Sequence, residues 1–234
     1  MNAIKAPTIE YFDEIGSTNE YVKLKRGEGR DFIAVAKRQT GGRGTKGRSF
    51  VSEEGGVYLS KLCFPQQLLA KDAFSIMAGA AVAVCKTLSR FGLQPVIKWA
   101  NDIYVNDKKI CGILIENVFS GRLVRSSIVG IGLNVCNELP NELLPIATTM
   151  QQAAGKKFSV EEVCSVLIEE LSKEYSMEEY QSYLGYMGRA VRLIMNDESI
   201  PATLICVDNE GGLVVEIEGQ RRRLTAAEVS LKLE

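Results

Sequence analysis

Apolar and polar positions change period several times along the chain, and each change predicts an element. Ser17-Thr18-Asn19-Glu20 has the spacing of a capping box, opening a short helix that should stop near Gly27. Residues 32–37 read as a short apolar strand, and 57–64 alternate as a half-buried strand does. Between them, 39–56 carry six glycines and almost no periodicity, which predicts a long loop. A long apolar helix follows over 68–91, with small residues at Ala78, Gly79, Ala80 and Ala81 for close packing on a sheet and Gly92 at its end. Residues 95–99 read as a strand, and 103–105 and 109–117 as a hairpin turning at Asn106-Asp107-Lys108. Residues 123–135 form a further strand, interrupted by Gly130 and Gly132. Ser159-Val160-Glu161-Glu162 is a second capping box, predicting a helix to about Tyr183.

After Gly188 the texture shortens. Strands are expected at 191–195, 202–207, 213–218, 221–224 and 229–233, with a turn at 208–212. Five short strands in so few residues suggest a small barrel, and a domain boundary is expected between Gly185 and Gly188. No internal repeat or low-complexity segment is visible.

Composition narrows the chemistry. The 234 residues are 46% apolar and 24% charged, ordinary values for a globular chain, which disfavours disorder, collagen and coiled coil. Lys plus Arg number 28 and Asp plus Glu 29, so attachment to nucleic acid by bulk charge is disfavoured. Histidine is absent, which removes Ser-His-Asp and Cys-His catalysis, His-ligated metals and a histidine pH switch. The six cysteines are scattered without a C-x-x-C pair and read as reduced residues of a cytoplasmic protein. The opening MNAIKAPTIEYF lacks a signal-peptide core. The apolar run 73–85 is bracketed by Lys71, Asp72 and Lys86 and is short for a bilayer, so no membrane association is expected.

The chemistry concentrates in five segments. Gln39-Thr-Gly-Gly-Arg-Gly-Thr-Lys-Gly-Arg48 combines glycines, whose amides can turn toward a ligand, with Arg43, Lys46 and Arg48, which suits an anion; alone, it also reads as a solvated surface loop. It misses the P-loop pattern by one residue, and Phe50-Val-Ser-Glu-Glu-Gly-Gly56 is a poor start for the helix a P-loop requires. Lys98-Trp-Ala-Asn-Asp102 sets a cation, a carboxamide and a carboxylate at a strand end, where a plain turn with Trp99 in the core is the alternative. Lys109-Ile-Cys-Gly-Ile-Leu-Ile-Glu116 begins with a lysine that alone could be a solvated strand end. Gly130-Ile-Gly-Leu-Asn134 permits close approach of a ligand, or marks a bulge. Ser17-Thr18-Asn19 is a cap that can also display hydroxyls to a polar ligand. Arg221-Arg222-Arg223 reads as a solvated strand edge.

In this order, with Ala147-Thr-Thr-Met150 and the terminal Ala227-Glu-Val-Ser-Leu231, these segments closely resemble biotin protein ligases over nearly the whole chain. The resemblance implies an α+β fold: a mixed β-sheet flanked by helices, of the class II aminoacyl-tRNA synthetase-like, biotin–lipoate ligase type, over 1–186, and an SH3-like β-barrel over 187–234. It implies an ATP-dependent ligase with biotin and ATP as substrates, Mg²⁺ as cofactor, and the lysine of a biotin carboxyl carrier protein as acceptor. Two departures stand out. Thr45 replaces the second arginine of G-R-G-R-x-G-R, which implies weaker retention of the adenylate, and Ala100 replaces the proline of K-W-P-N-D. Many family members carry an N-terminal winged helix-turn-helix; this chain starts almost at the catalytic segments, so no DNA-binding domain is expected. Exposed strand edges would permit a homodimer.

The same resemblance assigns roles. Ser17, Thr18, Asn19 and Gln39 hold the biotin ureido ring; Arg43, Gly44 and Thr45 close over it; Gly112 and Gly130 border it. Lys46, Arg48, Phe50, Asn101, Gly132 and Asn134 form the nucleotide side. Lys109, Arg43 and Asp102 are the catalytic set, Lys109 pairing with the biotin carboxylate and Asp102 holding Mg²⁺ or orienting the incoming amine. The glycine-rich loop should be mobile until ligand orders it. Rival readings are a lipoate–protein ligase and a non-catalytic biotin-binding protein; a nucleic-acid-binding barrel is more distant.

Overall fold

The structure, a computed structural model, describes residues 6–195, 198–226 and 229–232. Its larger part is a seven-stranded sheet: β1 (Thr8–Ile15), β2 (Phe32–Gln39), β3 (Gly56–Cys63), β4 (Val96–Lys98), β5 (Asp102–Val105), β6 (Lys108–Ser120) and β7 (Leu123–Asn134), in the order β1-β2-β3-β7-β6-β5-β4. Only β1 and β2 run parallel; the other neighbours are antiparallel. Edge strand β1 is absent from the sequence reading, and its Ile9 and Tyr11 remain exposed, so no buried face marks it.

Five helices accompany the sheet: α1 (Thr18–Leu24), α2 (Phe74–Arg90), α3 (Met150–Ala154), α4 (Val160–Glu170) and α5 (Met177–Ser182). Odd positions of β2 and β3 (Ile33, Val35, Val57, Leu59) face the core beneath α2 and α4. Ala78, Ala80 and Ala81 of α2 are buried there as their spacing predicts, whereas Gly79 is half-buried with open space beside it. With the turn before it, α2 reaches the length and apolar content of a bilayer span, longer than the run 73–85 suggests, but more than half of that stretch is buried inside the protein.

Three helix expectations change. The α-helix starts at Phe74 rather than at 68: residues 70–72 form a 3-10 turn, while the Leu68 carbonyl accepts from Val124 N and Ala70 N donates to the Arg122 carbonyl, so the stretch before the turn pairs with the start of β7. The expected helix from Ser159 to Tyr183 is two. The Leu171 carbonyl accepts from Lys61 Nζ at 2.8 Å, and Ser176 then starts α5 with a complete capping box to Glu179. Buried Glu170, beside the break, accepts from the Tyr175 hydroxyl and is ion-paired with Lys173 and Arg90. Ser17 occupies the N-cap position of α1 without a side-chain cap hydrogen bond; its capping box is not formed.

The smaller part is an antiparallel sheet of β8 (Ala190–Met195), β9 (Glu198–Val207), β10 (Leu213–Ile217), β11 (Gln220–Leu224) and β12 (Ser230–Lys232), in the order β11-β10-β9-β8-β12. Asp208 shapes the turn expected at 208–212, accepting from Glu210 N and Gly212 N. Arg221 and Arg222 are exposed as expected, whereas Arg223 is ion-paired with Asp208 and Glu210. Residues 227, 228 and 233 of the expected terminal motif and strand lie outside the described residues.

The two sheets share one core. Trp99 is 6% exposed, and its Nε1 donates to the Gly211 carbonyl at 3.1 Å, while Gln181 Nε2 donates to the Val207 carbonyl. Trp99 is therefore a core residue. The Trp99–Ala100 peptide is cis.

Candidate active site

The site grows from the even positions of three neighbouring strands. Register places Tyr58 beside Gly132 and Gly112, and Ser60 beside Gly130 and Leu114. Three glycines on one sheet face leave a hollow that other elements enter. The Phe50 ring fills the part over Gly132 and Gly112: a Cβ added at Gly132 would lie 2.5 Å from Phe50 Cε1. Asn19 fills the part over Gly130, where an added Cβ would collide with its Oδ1. Gly112 also makes room for Lys109, whose Nζ would lie 3.2 Å from a Cβ there.

Around this hollow is a cavity of about 430 Å³. It gathers every residue the sequence reading assigned to the site except Lys46, which is exposed at the loop tip with φ of 56°. Lys98, Ile113, Leu114 and Ile131, which lie in the segments singled out from sequence but were given no ligand role, also line it, as do Ser49, Val51, Tyr104, Leu139, Leu143, Ile146 and Ala147. The last four come from a stretch without a regular periodic signal.

The glycine-rich segment is more regular than a plain loop. It leaves β2 at Gln39 and folds on itself as a narrow antiparallel strap, with bridges Gln39–Ser52 and Arg43–Ser49. Gly44 N donates to the Arg48 carbonyl and Phe50 N to the Gly42 carbonyl. Gly42 is indispensable, because a Cβ there would lie 2.6 Å from Ser52 Oγ and still closer to the Phe50 carbonyl. Arg43 reaches Glu20 Oε1 at 2.8 Å, and Arg48 Nη2 donates to Thr45 Oγ1 at 3.2 Å.

One wall is a chain of polar contacts. Thr18 N donates to Gln39 Oε1 at 2.8 Å, and Thr18 Oγ1 lies 3.0 Å from the same oxygen. Gln39 Nε2 donates to Ser52 Oγ, and Ser52 Oγ to the Phe50 carbonyl. On the other side, Ser60 Oγ lies 2.7 Å from Thr18 Oγ1 and 2.5 Å from Asn19 Oδ1, and Asn19 Nδ2 donates to Glu116 Oε2 at 2.9 Å. Ser60 and Glu116 were not assigned from sequence; Ser60 resembles any inward strand serine.

The opposite wall carries the charge. Lys109 Nζ lies 2.7 Å from Asp102 Oδ1. Lys98 is half-buried above the Tyr104 ring, and burial lowers its pKa. Arg48 raises the local positive potential and pushes in the same direction. A cluster of Arg48, Lys98 and Lys109 with a single carboxylate among them suits a polyanion. Two asparagines serve the walls: Asn101 Nδ2 donates to the Ile113 carbonyl at 3.0 Å, and Asn134 Nδ2 to the Thr148 carbonyl at 3.2 Å.

Among the described residues no group of three metal-ligating side chains occurs. Asp102 alone offers a carboxylate beside the cations, which fits Mg²⁺ carried in on phosphates rather than held in a protein cage.

Comparison with known proteins agrees with this geometry. Residues 11–134 match the biotin/lipoate A/B protein ligase family, and residues 186–232 match the biotin protein ligase C-terminal domain. The bifunctional ligase/repressor BirA of Bacillus subtilis is 32% identical, over 94% of this chain and 73% of its own length. The biotin–[acetyl-CoA-carboxylase] ligase of Paracoccus denitrificans is 27% identical over 91% of this chain and 96% of its own. The biotin protein ligase of Aquifex aeolicus, solved with biotin and ATP, gives a TM-score of 0.77 at 28% identity, covering 97% of this chain and 99% of that one. The chain belongs to the biotin protein ligases of the biotin/lipoate A/B protein ligase family.

Proposed function

We propose that the cavity binds biotin against the Thr18–Gln39 wall and ATP over the Phe50 hollow, forms biotinyl-5′-AMP, and transfers the biotinyl group to a lysine of a biotin carboxyl carrier protein. In the first step a biotin carboxylate oxygen attacks the α-phosphorus of ATP and pyrophosphate leaves. In the second, the acceptor amine attacks the mixed anhydride carbonyl; AMP leaves and an amide remains.

The observation that carries this reading is the Lys109–Asp102 pair, 2.7 Å apart on the floor between the polar wall and the cationic cluster. Two anions must meet in the first step, so positioning and charge neutralisation dominate the barrier. Lys109 is placed to exchange part of its contact with Asp102 for the biotin carboxylate and to neutralise charge developing at phosphorus. Arg48 and Lys98 border the space for the leaving pyrophosphate, and the strap with Arg43, Gly44 and Thr45 shields the anhydride from water. Asp102 is the residue that would hold Mg²⁺, which would supply Lewis-acid charge there. Lys46 stands outside this set unless the strap moves.

Catalysis is assigned to residues 1–186, with 187–234 as a buttress behind Trp99. The test is pyrophosphate release with ATP and Mg²⁺, comparing biotin with lipoate. Release with biotin alone supports the reading; release with lipoate alone identifies a lipoate ligase, and tight biotin binding without release identifies a binding protein.

A further inference from the structure

The hydrogen-bonded wall of the cavity has a direction, and its direction is set outside the cavity. Glu116 lies on β6 beyond the cavity lining, with Lys23 Nζ 2.8 Å from its Oε1. A carboxylate so paired only accepts hydrogen bonds. Asn19, 5% exposed, must therefore turn its Nδ2 toward Glu116 Oε2, which leaves Asn19 Oδ1 facing Ser60 Oγ at 2.5 Å. That contact is satisfied only if Ser60 donates. Ser60 is fully buried and has one proton, so its 2.7 Å contact with Thr18 Oγ1 takes the Thr18 proton, and Gln39 Oε1 accepts from Thr18 N alone.

The other end is fixed likewise. The Phe50 carbonyl accepts from Ser52, whose Oγ accepts from Gln39 Nε2, so Gln39 Oε1 must face Thr18. Protons thus run outward from the middle of the chain toward two terminal acceptors, Glu116 and the Phe50 carbonyl. The middle, Thr18 Oγ1 and Gln39 Oε1, is left rich in lone pairs, and both residues line the cavity.

We infer that Glu116 is a positioning residue that, through Asn19 and Ser60, fixes this polarity and makes the site selective for a ring presenting paired N–H donors, a cyclic urea. This rests on the biotin reading and adds to it a residue that touches no substrate. Glu116 acts by setting an amide orientation. A neutral amide at 116 can donate to Asn19 Oδ1, allowing Asn19 to flip, Ser60 to accept from Asn19 and donate to Thr18, and the Thr18 proton to face the ligand.

The test compares wild type and Glu116→Gln by titration calorimetry and adenylation kinetics. The probes are desthiobiotin, which keeps both urea N–H groups, and its cyclic carbamate analogue, in which one N–H is replaced by oxygen. For Glu116→Gln the biotin KM should rise roughly 10- to 100-fold with kcat and the ATP KM nearly unchanged, because an acceptor is lost from a buried site. The wild-type preference for urea over carbamate should shrink about tenfold. A general loosening would weaken both probes alike, and that result, or an unchanged biotin KM, overturns the inference. Ser60→Ala cuts the same chain one link nearer the cavity and must collapse the same ratio, so it decides the question should Glu116→Gln fail to fold. Wild-type protein that turns over no biotin would instead refute the functional reading.

Discussion

Lys109 Nζ and Asp102 Oδ1 meet at 2.7 Å across the β5–β6 hairpin, each about a third or less exposed, at the floor of the cavity. In the proposed reaction this pair holds the ammonium ready for the incoming carboxylate. Lys109→Ala is expected to slow biotinyl-AMP formation by roughly 10²- to 10³-fold, since a preorganised charge at the reacting centre is removed. Single-turnover pyrophosphate release checks this, with circular dichroism to confirm folding. A folded Lys109→Ala protein with near-normal release removes the residue from the chemistry.

Phe50 occupies space that exists only because position 132 has no side chain. Gly132→Ala should displace the ring and lower adenylate formation roughly tenfold through misplacement of the nucleotide. Adding Phe50→Leu should recover part of the loss by vacating the contact. Kinetics of the single and double variants test this; additive losses would show that the two positions act independently.

Thr45 accepts from Arg48 at the strap tip. Thr45→Arg restores the family's second cation and should slow dissociation of biotinyl-AMP about tenfold, the scale of one charge-assisted contact to phosphate. Filter-binding of radiolabelled adenylate measures the rate; an unchanged or faster rate contradicts this account of the departure.

Away from the site, Glu169 is held down to about 2 by hydrogen bonds from Arg90 and Lys173, both at 3 Å or less. A carboxylate with a folded pKa below its ordinary 4.5 adds stability that is present above about pH 4.5 and is lost as pH falls through that value toward 2. Glu169→Gln should lower the urea midpoint at pH 6, and the gap from wild type should narrow steadily as pH falls below about 4.5, closing only below about pH 2. A gap independent of pH would mean that the ion pairs are not the cause. Glu169 is exposed, so the effect should be small.

Trp99 Nε1 ties the larger sheet to the Gly211 carbonyl of the smaller one. Trp99→Phe keeps most of the ring packing and removes that bond, so it should cost about 1 kcal/mol of global stability. Equilibrium denaturation reads the change directly. No loss would mean that the junction is held by its other contacts, the Gln181 Nε2 bond to the Val207 carbonyl and the Phe74 ring beneath Gly211.

How much of this was legible in the sequence depended on the physical signal each element carries. The C-terminal strands were readable because their apolar positions alternate onto a buried face, and β3 and β7 because they are apolar runs buried on both faces. Strand β1 was not, since the exposed edge position of Ile9 and Tyr11 gives no buried alternation. The break between α4 and α5 was hidden because Glu170 and Lys61 create it through tertiary contacts. The site was legible through residue types that chemistry demands in a fixed order: Lys109, Asp102, the strap cations and the three glycines. Ser60 and Glu116 were not, because their meaning lies in which proton goes where, and that requires the neighbours Asn19 and Thr18 in space. Lys46 shows the converse, a cation of the right type in the right segment held outside the cavity by a left-handed tip.

The most direct measurement is intact-mass analysis of an acceptor carrier domain after incubation with the protein, ATP, Mg²⁺ and biotin. A mass gain of one biotinyl group, absent when the acceptor lysine is changed or Lys109 is alanine, is predicted. An acceptor of unchanged mass, with the protein folded and ATP not consumed, would contradict the account.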